Sequence, residues 1–283
     1  MLACLLVALA QPSPADTAAT LRFIESLRDP ATGVYKVTAD GKPNLRAVNG
    51  GVKTTRALGG TVADVDKLRA FVLSCIDPAT GGFAEEPGGK VSVSATAVGV
   101  ITAVELGIPK DKFRMALDHL KANAKTWEEV RIAGAAVEAW GVKDCPFDLA
   151  DWDKIADAAG EAAVGGPREG GARDVGGVVA FKLRLGRELP AREAVAGFLQ
   201  SGQRPDGGWS KPGADDSDLE SSYRVMRALH LLKAKPEAAA VRQFITKPIA
   251  SGKSTITYSA PPPTTTAPKA PPTTSSTTPT AAE

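Results

Sequence analysis

The chain has 283 residues, of which 43% are hydrophobic and 23% charged, and a net charge of +2. That is enough length to bury a substantial core, in a composition ordinary for a soluble globular protein. A charge so near neutral, with no basic stripe interleaved with aromatics, argues against nucleic acid or an anionic membrane as the main partner.

The first ten residues read MLACLLVALA and are followed by QPSPAD. An apolar run ahead of small residues has the form of a secretory signal core and cleavage region, and it is too short to span a bilayer. No Lys or Arg precedes it, which is atypical of such a signal. The expectation is export, periplasmic or secreted, over the alternative of a frayed N-terminal helix, with residues 1–16 as signal and junction, 17–248 as the folded domain and 249–283 as a tail. Cys4 would leave with the signal. Cys75 falls on an apolar helix face as a small buried hydrophobe, and whether it joins Cys145 is left open.

The run Phe23 to Tyr35, FIESLRDPATGVY, returns as FVLSCIDPATGGF from Phe71 to Phe83, with Asp29 and Asp77 opening identical five-residue stretches 48 residues apart. A third version, FLQSGQRPDGGW, runs from Phe198 to Trp209. Each reads as a helix end, a turn anchored by glycine and an aromatic, and then a second helix. Helical units repeating at such a period form arrays in which no unit buries its own apolar face.

In the second unit Asp64 is placed to cap a helix with Val65, Leu68, Phe71, Val72 and Cys75 on one face. Its mate, Ser94 to Leu106, is small or apolar nearly all round, so it is covered on more than one side. The other units repeat this pairing of an outer amphipathic helix with an inner buried one. The inner helices are Asn44 to Leu58, Glu128 to Trp140, Val175 to Leu185 and Asp218 to Leu232. Outer helices are read at Lys110 to Asn123, Asp148 to Ala159 and Pro190 to Leu199, with Gly165 to Gly171 as a loose connection and a last helix at Glu237 to Ile245. Glycines 59, 107, 141 and 186 close inner helices. The fold class is all-α: an α/α toroid of two concentric helix layers from about five hairpins, with the last unit touching the first. In it the rings of Tyr35, Phe83 and Trp209 would plug gaps between neighbouring outer helices. From about Ser251 the Pro, Thr and Ser content predicts a disordered tail.

The combination of Phe198-Leu199, Gln203 and Gly207-Gly208-Trp209 resembles the aromatic-glutamine-tryptophan repeat of squalene-hopene and oxidosqualene cyclases. The Gly-Gly-Phe and Gly-Gly-Trp turns ahead of an acidic helix start resemble the β subunits of protein prenyltransferases. The resemblance covers about Leu21 to Ile245 and implies the toroid fold without fixing an activity. Prenyltransferases of this type hold a catalytic zinc through an Asp-x-Cys pair and a later His, and work with a separate α subunit. Asp174 matches the first ligand, but Gly176 stands where cysteine is needed and Ser221, after Asp218, where histidine is needed. The two histidines, His119 and His230, lie on other helices, so zinc is disfavoured and no cofactor is expected. Cyclases use an Asp-x-Asp-Asp acid, kept protonated by its surroundings. Asp215, Asp216 and Asp218 have the right letters in another order, with Asp218 placed to cap the inner helix and Asp215 and Asp216 at its positive end.

The remaining candidates are Glu220 and Tyr223 for a cavity-facing role, with Asp174 and Asp218 as weak catalytic candidates. Arg46, Lys53, Arg56 and Arg131 are weak candidates for gripping a diphosphate, each also explicable as a surface or ion-paired residue. Arg131 and Glu128 read first as a helical pair. The leading reading is an exported toroid that lacks the known catalytic sets and binds an apolar ligand in its cavity or a protein at its rim. The alternatives are an isoprenoid transferase or cyclase with unassigned residues, and a carbohydrate-active toroid using Asp174 with Glu220.

Overall fold

The structure is a computed structural model that describes residues 14–165 and 168–250, without the side chains of 168–170 and 247–250. The expected signal run and the Pro/Thr tail fall outside those residues. Among the described residues six outer helices are α1 (Pro14–Ser26), α3 (Val65–Ser74), α5 (Met115–Asn123), α7 (Ala150–Gly165), α9 (Arg192–Ser201) and α11 (Ala238–Ala250). Five inner helices alternate with them: α2 (Leu45–Ala57), α4 (Val93–Glu105), α6 (Trp127–Trp140), α8 (Arg168–Arg184) and α10 (Leu219–Leu232). Short 3-10 turns cover Lys110–Phe113 and Val142–Asp144, so the outer helix expected from Lys110 begins as one of these. Among the described residues no helix is long and apolar enough to cross a membrane.

The inner helices start where a side chain can satisfy free backbone N–H groups. Asn44 accepts from the Arg46 and Ala47 amides, Ser92 from Ala95 and Asp218 from Ser221. Thr126 and Glu129 form a reciprocal capping box. At their other ends Gly59, Gly107, Gly141 and Gly186 take positive φ, as expected. The fifth such position is Lys233, exposed and at φ 58. A left-handed residue with a Cβ costs about 1–2 kcal/mol, partly offset in glycine by its freer unfolded chain. Lys233→Gly is therefore expected to stabilise the fold by about 0.5–1 kcal/mol, read as a higher midpoint of urea unfolding with an unchanged slope.

Asp64 does not act as the expected side-chain cap: it sits at φ 51 and makes no capping hydrogen bond. Its carboxylate is instead held by Arg28, 2.7 Å away in the preceding turn. Arg28 also donates to the Gly33 carbonyl, which ties the first turn to the second outer helix. Nor is Gly165 to Gly171 a loose connection, since α7 runs to Gly165 and α8 begins at Arg168. Glycine there permits a close crossing, because a Cβ on Gly171 would lie 2.4 Å from the Ala163 carbonyl oxygen.

The repeated turn has a division of labour. Asp29 and Asp77 accept from the amide and hydroxyl of Thr32 and Thr80, and those hydrogen bonds hold both carboxyls below the usual range. Gly33, Gly81 and Gly207 all have positive φ, and each lies against the next outer helix. A Cβ would meet the Asp64 carboxylate in the first turn, Met115 at 2.3 Å in the second and the Ala240 carbonyl at 2.0 Å in the last. The aromatic ring does not stay between outer helices as expected. It continues inward onto a glycine of the inner helix, Tyr35 onto Gly51 and Phe83 onto Gly99. Trp209 is fully buried too, with its indole N–H donating to the Leu199 carbonyl at 2.9 Å.

Inner helices pack in sequence, α2 on α4, α4 on α6, α6 on α8 and α8 on α10, with outer helices behind them. Helix α8 serves two apolar clusters: Val178 and Phe181 join the one from units one to four, and Val175 and Val179 the one around Trp209. The expected touching of last and first units is not made by inner helices, since α10 does not pack on α2 as its neighbours pack on one another. Both described cysteines are free, and burial pushes the Cys75 thiol up to about 12.

Candidate functional site

The inner wall around α6, α8 and α10 carries the densest charge cluster. Glu128 projects from the first turn of α6, and Arg224 of α10 reaches it with both terminal nitrogens at 2.7 and 2.9 Å. Arg131, one turn along α6, donates to the same carboxylate at 2.9 Å, and Arg173 of α8 approaches it at 3.4 Å. Arg173 also pairs with Asp174 at 2.5 Å and lies 3.5 Å from Glu220, which is itself bound by Arg224. Three helices are thus tied by interleaved guanidinium and carboxylate groups, with Arg224 only 7% exposed.

Electrostatics follow from this geometry. Burial alone would raise the Glu128 carboxyl, but Arg224 and Arg131 outweigh it and bring it down to about 2. Arg131 moves below its ordinary value through burial and then repulsion from Arg224. Two donors of this wall, Trp127 Nε1 and Arg173 Nε, are buried without a protein partner.

Of the residues singled out in the sequence, Asp174, Glu220 and Arg131 come together here. Asp174 and Glu220 share Arg173, so the distance between them is short enough for a hydrolase pair, but the space between is filled by a guanidinium. Asp218 caps α10 as expected, accepting from the Ser221 amide and hydroxyl. Tyr223 does not face the enclosed part of the wall and is 62% exposed. The diphosphate candidates do not converge. Arg46 at the start of α2 binds Glu85 and Ser94, while Arg56 near its end binds Glu105, about 15 Å along the axis. Lys53 is exposed between them.

A zinc site of the prenyltransferase kind does not fit these residues. A cysteine at position 176 would put its Cβ 3.2 Å from the Arg224 carbonyl and the Val225 Cα, because α8 and α10 are in direct contact there. Asp174 is engaged by Arg173, and the Ser221 hydroxyl by Asp218. His119 abuts Gly82 on the outer layer, and His230 is exposed. Among the described residues no three His, Cys, Asp or Glu side chains gather where a metal could be held.

The cleft on this wall, about 40 Å³ in volume, is lined by Gly134, Gly176, Gly177 and Phe181 together with Arg131, Arg184, Arg224, Arg227 and Glu138. The family model for the prenyltransferase alpha-alpha toroid domain matches residues 1–127 and 181–252, well over half of the chain. The chain belongs to this family. No curated protein matches it significantly. The unmatched stretch, 128–180, spans nearly all of α6, all of α7 and most of α8. It contains Glu128, Arg131, Arg173 and Asp174, whereas Glu220 and Arg224 of the same cluster lie in the matched part.

Sequence reasoning missed Arg173 and Arg224. The available signal was Arg224 on the buried phase of α10, between Ser221 and Val225 and four residues after Glu220.

Proposed function

We propose that this toroid is a non-enzymatic binding protein, one that retains the family scaffold without its isoprenoid chemistry and holds a protein partner on its surface. The observation that carries this reading is the state of the inner wall. Where a transferase needs an open metal site, Gly176 is pressed against α10, and the nearby carboxylates are neutralised by arginines. This cleft of about 40 Å³, with four arginines and Glu138 in its lining, also suits an apolar ligand poorly, since small-molecule sites run to roughly 300–1,000 Å³ and are mostly apolar.

The test uses the purified full chain, with and without added zinc, incubated with farnesyl or geranylgeranyl diphosphate and a peptide ending in a cysteine motif. The expected result is no prenylated or cyclised product, and no zinc retained at one per chain after desalting. Turnover of either diphosphate, or stoichiometric retained zinc, would overturn the reading in favour of an enzyme.

A further inference from the structure

The cleft on the inner wall is built by one face of each of three helices. Helix α6 lines it with Arg131 and Glu138, α8 with Gly177 and Arg184, and α10 with Arg224 and Arg227. Residues three or seven apart share one face of a helix, so each helix presents a single stripe to the cleft. Arg184 and Glu138 keep 31% and 27% of their side chains exposed, which leaves the cleft within reach of solvent.

The carboxylates around it do not balance the guanidinium groups. Glu128 and Glu220 pair with Arg131 and Arg224, Asp174 with Arg173, and Glu138 with Arg184. Arg227 lies one turn along from Arg224, partly exposed, and pairs with no described carboxylate. The surplus positive charge of this wall therefore stands in the cleft itself. Hydrogen-bond donors are in surplus too. A guanidinium carries five N–H donors and no acceptor, yet Arg131 uses only Nε and Nη2 on Glu128, and Arg184 only Nε on Glu138. Arg131 is held below its ordinary value by burial and then by repulsion from Arg224, an environment that a further anion would relieve.

We propose that this cleft receives one carboxylate of a partner protein, an Asp or Glu side chain flanked by apolar residues, bonded by Arg227 and by the unused donors of Arg131 and Arg184. The inference deepens the partner-binding reading above and rests on it. Charge and size select the carboxylate. Its single charge matches the surplus at Arg227, which a diphosphate would exceed. A volume of about 40 Å³ holds roughly three or four water-sized groups, which suits a carboxylate and is too small for a diphosphate. The adjoining wall selects a peptide over a free acid. On α4, packed beside α6, Val98 and Ile101 are partly exposed on the stripe from Ser94 to Glu105. A segment lying across the wall would cover them while its acid enters the cleft.

The test selects a random peptide library, displayed on phage, against the immobilised full chain. Enriched peptides are synthesised with amidated C-termini, each in its acidic form and with Asn or Gln in place of the acid. Both forms are titrated by fluorescence anisotropy against wild type, Arg227→Gln, Arg227→Lys and, as control, Arg22→Gln on exposed α1 surface. The expected peptides carry an acid beside apolar residues. Replacing that acid, or Arg227 by Gln, should weaken binding about tenfold or more, the loss of one charge-assisted hydrogen bond. Arg227→Lys should recover part of it, and Arg22→Gln should match wild type. The comparison of acid with amide uses wild-type protein alone, so the proposal stays testable even where a variant misfolds. No enrichment, or binding indifferent to the acid or to Arg227, would overturn the proposal. Acetate competing at the peptide's own concentration would overturn the assignment to a protein, and inorganic pyrophosphate doing so would overturn the choice of a carboxylate. Failure in any of these arms leaves the tests of prenyl transfer and retained zinc unaffected, so it is distinguishable from failure of the non-enzymatic reading.

Discussion

Replacing Phe83 by alanine is expected to destabilise the protein by about 3–5 kcal/mol, the cost of emptying a large buried aromatic site that cannot collapse. Phe83 is wholly buried, its amide donates to Thr96 Oγ1 at 3.0 Å, and its ring lies on the backbone of α4 at Gly99. The ring and the glycine act as a pair, since a Cβ at position 99 would lie 2.3 Å from the ring. Gly99→Ala alone should therefore cost about 1–3 kcal/mol by overpacking. In the Phe83→Ala background the same change should be neutral or stabilising by up to about 1 kcal/mol, because alanine is the better helix residue and the clash is gone. Urea unfolding of both single variants and the double variant gives the coupling directly. Additive costs would mean that the ring is not seated on Gly99, and the account of the repeated turn would fail with it.

That pair also shows what the sequence made legible and what it did not. The repeated Asp-Pro-Ala-Thr-Gly, the glycine two residues before each aromatic and the glycines at inner-helix ends are local signals, because their chemistry is decided within a few residues. The two-layer toroid follows from them once α4 is seen to be apolar all round. The direction of the rings was not legible, because it depends on Gly51 and Gly99, sixteen residues downstream of Tyr35 and Phe83, on another helix. Asp64 was misread for a related reason. Its position and type fit a cap, but Arg28, 36 residues earlier, claims the carboxylate. Glycines near Gly171 looked like a flexible link because a close helix crossing leaves the same letter in the sequence as a loop does. Glu128 and Arg224 are 96 residues apart, and neither residue type nor spacing announces such a pair.

The inner wall gives the second large effect. Glu128→Gln removes the one carboxylate that Arg224, Arg131 and Arg173 all share, leaving Arg224 and Arg173, 7% and 12% exposed, with less counter-charge. Breaking a fully buried pair costs about 3–5 kcal/mol; with the Glu128 side chain 45% exposed, solvent screening lowers the expectation to about 2–3 kcal/mol. The sign of the pH dependence is fixed by the depressed carboxyl. Its folded value, about 2, lies below the ordinary 4.5, so its contribution is complete above pH 4.5 and is lost as pH falls toward 2. Wild-type protein should thus lose stability through that window more steeply than Glu128→Gln, the two unfolding free energies converging by about 1–2 kcal/mol after discounting for exposure. Adding Arg224→Met to Glu128→Gln removes both partners and should cost less than the two single losses together, because no guanidinium is then left buried opposite a neutral amide. Parallel stability curves for wild type and Glu128→Gln between pH 5 and 2 would show that Glu128 is not held by these arginines in solution. The claim that the inner wall is spent on structure, and not on chemistry, would then lose its main support.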